Sequence, residues 1–269
     1  MSAGPGGRIA PEDWSAQVVG VLGGLGPAAT SVFLDILVRA TDAASDQDHL
    51  DLLVSQHSTT PDRTARILDP AAPDPGIVIA RDARMLERAG ATLLVMPCNT
   101  AHHFVRQAED ATTAPFLSIV ELTAEVAARR VGAPASAGAG ASAGGGAAAP
   151  VAVFATEGNV RAEVYQQALE QAGARAWIPS RDLQDRVNAI IYDQVKAGRP
   201  VDMEMFEGCV AEAIDGGAGT VVLGCTELSV VYDQQGLRGD PRLTDSLTEL
   251  ATATILAAGK QVSPAFRPA

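Results

Sequence analysis

The sequence predicts an α/β fold of two pseudo-symmetric halves with parallel sheets, and three observations predict it. Short apolar runs alternate with amphipathic stretches along the chain, the βαβα rhythm of parallel strands covered by helices. The rhythm stops once, at Ala133 to Pro150, whose nine Ala, five Gly, two Ser and two Pro include no charge and no large side chain. Such a stretch has nothing to bury and reads as a flexible insertion between two units. The halves also repeat each other. ATLLVMPCNT (91–100) aligns without a gap on AGTVVLGCTE (218–227), with Cys98 on Cys225, and VVGVLGGLG from Val18 pairs more loosely with VAVFATEGN from Val151.

The elements follow in order. Val18 to Leu22 is an apolar run broken by a Gly-rich turn, hence a buried strand, and Phe33, Ile36 and Leu37 give one apolar face to a helix from about Ala28 to Thr41. Leu52 to Ser55, Leu93 to Met96 and Phe116 to Ile119 are further short apolar runs of strand type. Helical patterns lie around Ile77 to Ala89, His102 to Ala111 and Glu121 to Arg130. Beyond the insertion, strands are expected at Val151 to Ala155, Ala176 to Ile178 and Thr220 to Leu223, and helices near Val160 to Ala172, Leu183 to Ala197 and Met203 to Ile214. Ser246 to Ala258 reads as a last helix.

Composition narrows the function. The 269 residues suffice for two domains of moderate size, and 47% hydrophobic with 19% charged residues is a globular profile. A net charge of −12 argues against a nucleic-acid surface, whose affinity comes largely from neutralising phosphates. Aromatics are only 4%, so the core must be built from Val, Leu, Ile and Ala. Residues 1–17 contain no apolar signal segment and read as a disordered leader, and no stretch approaches the roughly 20 apolar residues of a membrane helix. The expected setting is cytoplasmic, with a small-molecule partner and neither nucleic acid nor membrane.

Three cysteines form no CxxC pair. Cys209 shares helical spacing with Phe206, Val210, Ala213 and Ile214 and belongs to a core-facing stripe. Cys98 and Cys225 instead follow strands directly and precede polar residues, Asn99-Thr100 and Thr226-Glu227. In parallel α/β sheets ligands gather beyond the carboxyl ends of strands. Two facing copies would thus put one thiol on each side of a shared cleft, suiting a reaction that is mirror-symmetric at one carbon. Racemisation is such a reaction, because the base for one enantiomer is the conjugate acid for the other. A thiol can serve as acid or as base there if the helix N-terminus that follows it favours the thiolate.

The stretches GVLGGLGPAAT (20–30), PDRTARIL (61–68), MPCNTAHHF (96–104), FATEGNVRAEVY (154–165), IIYDQVKAG (190–198) and LGCTELSVV (223–231) closely resemble the aspartate/glutamate racemase family, in the branch of cofactor-independent aspartate and broad-specificity amino-acid racemases. The resemblance implies two Rossmann-like α/β domains, a first of 18–132 plus 244–269, its C-terminal helix returning to it, and a second of 151–243, with the active site between them. It also implies no cofactor, an amino-acid substrate and a homodimer. Cys98 and Cys225 would be the catalytic pair. Asn99, Thr100 and Thr226 would hold the substrate's carboxylate and amino group, Thr156 would bind beside them, Gly24, Leu25 and Gly26 would let the backbone approach, and Arg63 would bind a carboxylate.

Two positions depart from the family. Asp185 stands where aspartate-specific members resemble this chain but carry a Lys that looks like a second carboxylate clamp, so Asp185 is expected to disfavour an acidic side chain. Asn159 replaces a Thr. His102 is expected to start the helix and donate a supporting hydrogen bond near Cys98, His103 to lie at the surface or an interface, and Glu227 either to tune Cys225 or to stand as an exposed carboxylate at the helix start. Gly24 to Ala29 formally satisfies GxGxxA, but Ser55 and Gln56 stand where a dinucleotide site needs an acid. His102 and His103 are adjacent and cannot both face one metal from a helix, so no metal site is expected. Two alternatives stay open: another thiol-dependent isomerase or decarboxylase acting on a small dicarboxylate, and a catalytically silent amino-acid-binding protein.

Overall fold

The computed structural model describes residues 17–133 and 148–266; the leader expected at 1–17 and the insertion expected at 133–150 lie, apart from their ends, outside the described residues. Each half carries a four-stranded sheet. The first comprises β1 (Val18–Gly23), β2 (Asp51–Gln56), β3 (Leu93–Val95) and β4 (Phe116–Leu117) in the order β2-β1-β3-β4. The second comprises β5 (Val151–Phe154), β6 (Ala176–Trp177), β7 (Thr220–Leu223) and β8 (Leu243–Asp245) in the order β6-β5-β7-β8. Every pairing is parallel. The orders match strand for strand, and β3 and β7, aligned by the sequence repeat, hold equivalent places.

Eleven α-helices among the described residues connect the strands: α1 (Pro27–Ala40), α2 (Arg63–Leu68), α3 (Pro75–Arg88), α4 (Val105–Glu109), α5 (Ile119–Arg130), α6 (Glu157–Arg161), α7 (Val164–Gln171), α8 (Arg181–Asn188), α9 (Met203–Asp215), α10 (Thr226–Gln234) and α11 (Ser246–Ala257). Strand alternation sorts the core into layers. Val19, Val21, Leu93, Val95, Val151 and Val153 face a shared layer between the sheets with Phe33, Ile36 and Leu37 of α1 and residues of α5, α7 and α11. Leu22, Leu94 and Met96 point the other way onto α3, and Ala152, Phe154 and Leu223 onto α8 and α9. Burying one such large side chain stabilises the fold by roughly 1.5–3 kcal/mol. Cys209 is fully buried in the second of these outer layers.

The helices that follow the two sheets change sides. α5, which the expected domain ranges group with the first half, packs on α7, β7 and β8, while α11 packs on α1, and the two helices pack against each other. Each half therefore completes the other's core. Side-chain caps fix where helices begin: Asp74, Asp202 and Asp245 accept from Gly76, Met205 and Thr248, each worth about 1 kcal/mol.

Several expected elements differ. The helix expected over Val160 to Ala172 is two helices, α6 and α7, broken at Glu163, whose backbone is left-handed (φ 54). The break lets α6 dock on α2 of the opposite half while α7 packs on α5. The helix expected over His102 to Ala111 starts as a 3-10 turn at Thr100–Phe104, and that over Leu183 to Ala197 widens into a π-helical turn at Ala189–Val195. The strand expected to reach Ile119 stops at Leu117, where Ser118 caps α5. Apolar periodicity does not locate α2, which buries no residue, or α10, which is buried nearly all round, or β8, a strand of three residues. Among the described residues no helix is long and apolar enough to cross a membrane.

One buried acid gives stability a pH dependence. Burial on α11 pushes the Glu249 carboxyl up to about 7 from 4.5, Arg130 opposing the shift and Asp245 adding to it. Since the folded pKa lies above the unfolded one, this group's contribution is complete below pH 4.5 and is lost as pH rises through about 7. Glu249→Gln is therefore expected to stabilise the protein at pH 8 by on the order of 2 kcal/mol, after allowance for partial exposure. Thermal melts should show the gain shrinking as pH falls toward 4.5; an equal gain at both ends would refute it.

Candidate active site

The site lies where both sheets reverse their winding. In the order 2-1-3-4 the chain leaves β1 toward β2 on one side and β3 on the other, opening a crevice at the carboxyl ends of these strands. Cys98 stands three residues past β3, which Pro97 follows too closely to extend. Cys225 stands two residues past β7 as the N-cap of α10. The two thiols, 6% and 4% exposed, line one enclosed cavity of only about 10 Å³, the space of roughly one water.

Leu25, Arg63, Asn99, Thr100, Thr156, Thr226 and Glu227 line the same cavity, joined by three residues that the sequence reading does not single out, Asp62, Thr64 and Lys196. A wider, open cavity of about 390 Å³ adjoins it, bordered by Gly24, Gly26, Ala28, Ser58 and Val230 among others. Asp62, Arg63, Lys196 and Glu227 border both spaces and form the wall between them. Contacts across the halves close the site: Thr64 Oγ1 and Tyr192 Oη are 3.2 Å apart, and the hydroxyls of Thr100 and Thr156 are 3.0 Å apart.

The charges are arranged unequally about the two sulfurs. Burial pushes the Cys98 thiol up, and Arg63 is the principal group opposing this. Burial pushes Cys225 up further, Glu227 adds to the rise, and Lys196 opposes it. The Cys225 thiol donates to Glu227 Oε2 at 2.9 Å, while Glu227 Oε1 is 3.8 Å from Lys196 Nζ. Any preference of a helix N-terminus for the thiolates is thus outweighed at both positions, because desolvation disfavours the charged form. Desolvation also works against the Lys196 ammonium, but Glu227 and the neighbouring thiols more than offset it and its pKa rises. The π-helical turn before Lys196 brings it and Tyr192 to the cleft together, the ammonium 4.5 Å from the Tyr192 ring centre.

Several expected roles change. Asp185 is exposed on α8 and borders neither cavity, and Arg186 beside it pairs with Glu212 on the surface. Lys196, later on the same helical segment, lines the site as a second cation beside Arg63. Sequence gave one signal for it, its place inside the IIYDQVKAG motif. Gly24, with φ 84, owes its identity to another backbone: a Cβ there would stand 2.5 Å from the His57 N and C atoms. The Asn99 amide is already engaged, accepting from Tyr165 Oη at 2.6 Å and donating to Ser246 Oγ at 3.0 Å, which leaves one N–H for a ligand. Arg63 donates to the carbonyls of Leu25 (2.8 Å), Pro61 (2.9 Å) and Thr60 (3.2 Å). His102 accepts from Ile119 N–H at Nε2, so Nδ1 carries the proton and donates to the Cys98 carbonyl at 2.9 Å. Burial lowers its pKa to about 4 and keeps it neutral. His103 is exposed. Asn159 is fully buried beside Thr156, its side-chain amide without a hydrogen-bond partner among the described residues.

Two like-built α/β halves close around one cavity, each supplying a strand end that carries a thiol. The chain belongs to the Asp/Glu/Hydantoin racemase family, whose profile matches residues 22–254. It is 25% identical over 242 residues to the broad specificity amino-acid racemase RacX of Bacillus subtilis (strain 168), covering 88% of this chain and 96% of that protein. Among solved structures it resembles an aspartate racemase of Picrophilus torridus, with a TM-score of 0.74 and 25% identity over 94% of this chain and 98% of that one. An aspartate racemase homologue from Pyrococcus horikoshii OT3 shares the fold, with a TM-score of 0.68 and 20% identity over 90% of this chain and 99% of that one.

Proposed function

We propose that the protein interconverts the enantiomers of an α-amino acid by 1,1-proton transfer between Cys98 and Cys225. The observation that carries this reading is the pair of buried thiols lining one cavity from equivalent strand ends of two like-built halves. In one direction the Cys98 thiolate, favoured by Arg63, takes the α-proton, and the electron pair left on the α-carbon spreads into the adjacent carboxylate. Cys225, held as a thiol by its bond to Glu227, delivers its proton to the opposite face and becomes the thiolate. The reverse reaction exchanges the roles, and no cofactor enters either step.

A cavity of about 10 Å³ cannot hold an amino acid, so entry requires the wall of Asp62, Arg63, Lys196 and Glu227 to open toward the wider space. Closing it again excludes water from the carbanion. Charge selection falls to these four residues, two cationic and two anionic, rather than to Asp185, which borders neither cavity. The test is incubation with each L-amino acid in deuterium oxide, reading chirality and α-deuterium. Absence of both across the panel, aspartate and glutamate included, would refute the proposal.

The raised thiols fix the direction of the pH dependence. One thiolate is required, and its fraction falls about tenfold for each pH unit below the pKa. The kcat/KM profile is therefore expected to climb through pH 7 to 9 and, because the partner thiol must stay protonated, to fall again at still higher pH. Arg63→Gln removes the main group favouring the Cys98 thiolate and should move the limb to higher pH. A profile that is flat from pH 7 to 9 would contradict this.

A further inference from the structure

Tyr165 touches both thiol-bearing turns at once, although it lies on α7 and borders neither cavity. Its hydroxyl donates to Asn99 Oδ1 at 2.6 Å, and Asn99 is the residue after Cys98. Its ring lies against Gly224, the residue before Cys225, so closely that a Cβ on Gly224 would stand 2.8 Å from Tyr165 Cε2. A second route ties the same turns. Asn99 Nδ2 donates to Ser246 Oγ at 3.0 Å, and Ser246 Oγ donates to the Leu223 carbonyl at 2.7 Å, two residues before Cys225. Tyr165, Ser246 and Leu223 are fully buried, and Asn99 is 1% exposed.

We propose that Tyr165 is a positioning residue that sets the separation of the two thiols, its rigid ring acting as a spacer against Gly224 and its hydroxyl fixing the turn that carries Cys98. This rests on the two-thiol reading given above. A phenol suits the task because its ring has two torsions, both held by packing, and its buried hydroxyl needs a partner. The separation matters because inversion requires the second thiol to meet the carbanion before the first returns its proton. A thiol that has drifted from the opposite face leaves the first to reprotonate the same face. That event exchanges the α-proton with solvent deuterium, through the exchangeable S–H, and preserves configuration.

The experiment compares wild type, Tyr165→Phe and Ser246→Ala in deuterium oxide. It measures α-deuterium in recovered substrate of unchanged configuration against formation of the opposite enantiomer, at early conversion. Tyr165→Phe keeps the ring against Gly224 and deletes the hydroxyl with its bond to Asn99 and its contacts to Thr123 and Ser246; Ser246→Ala frees the other side of the same amide. Each folded variant is expected to lose about 10- to 100-fold in kcat, the order expected for a misplacement near 1 Å. KM should change far less, and the ratio of exchange to inversion should rise severalfold. A merely structural role would lower the melting temperature and the amount of active enzyme without moving that ratio, because every folded molecule would react as wild type does. An unchanged ratio in whichever variant folds overturns the proposal. Failure of the underlying reading looks different: wild type would not racemise any amino acid, or Cys98→Ala would still do so.

Discussion

Replacing either Cys98 or Cys225 with Ala is expected to abolish racemisation, whereas Cys209→Ala should leave turnover nearly intact. General acid or base catalysis contributes roughly 10²- to 10⁴-fold, and here each direction needs both partners, so neither single variant should retain inversion. The two losses should differ in kind. A variant that keeps one thiol can still exchange the α-proton of the enantiomer that presents it to that thiol, so each single variant should incorporate deuterium into one enantiomer only. Cys209 is buried among Phe206, Val210 and Ala213 and borders neither cavity, so its loss costs packing alone. Chiral chromatography with α-deuterium analysis reads all three variants, and near-wild-type inversion in either Cys98→Ala or Cys225→Ala would remove the two-base assignment.

Gly24→Ala should be the most damaging of the small substitutions to stability. At φ 84 a methyl group would meet the N and C atoms of His57 at 2.5 Å, in the loop where β1 and β2 end side by side. Left-handed backbone alone costs a non-glycine residue about 1–2 kcal/mol. A clash against main chain, which cannot swing aside as a side chain can, adds typically 1–3 kcal/mol. A loss of about 3 kcal/mol corresponds to a fall of roughly 6–12 °C in a domain of this size class. Gly259→Ala supplies the comparison: its φ is 75, but nothing stands within 4 Å of the added methyl, so only the smaller backbone cost should appear. Equal falls in melting temperature would show that the contact with His57 contributes nothing.

The sequence by itself determined what repeats and what alternates. The match of 91–100 to 218–227 anticipated two sheets of one strand order, since equal local patterns build equal strands. The same match put Cys98 and Cys225 beyond equivalent strands, and parallel winding sends those strand ends to a common crevice. Cys209 was legible as core because its partners recur at helical spacing. Tertiary structure alone decided which side chains of a helix reach the cavity. A helix turns by about 100° per residue, so a small error in where it starts or widens moves a side chain to another face. Lys196 reaches the cavity after α8 passes into a π-helical turn, a change of pitch that periodicity does not show, while Asp185 lies before that turn on the exposed side of α8. Tyr165 and Ser246 became visible only once α7 and α11 had packed against strand ends far away in the chain. Hydrogen bonds such as Tyr165 to Asn99, 66 residues apart, and Asn99 to Ser246, 147 residues apart, depend on how the two halves dock and leave no local signature.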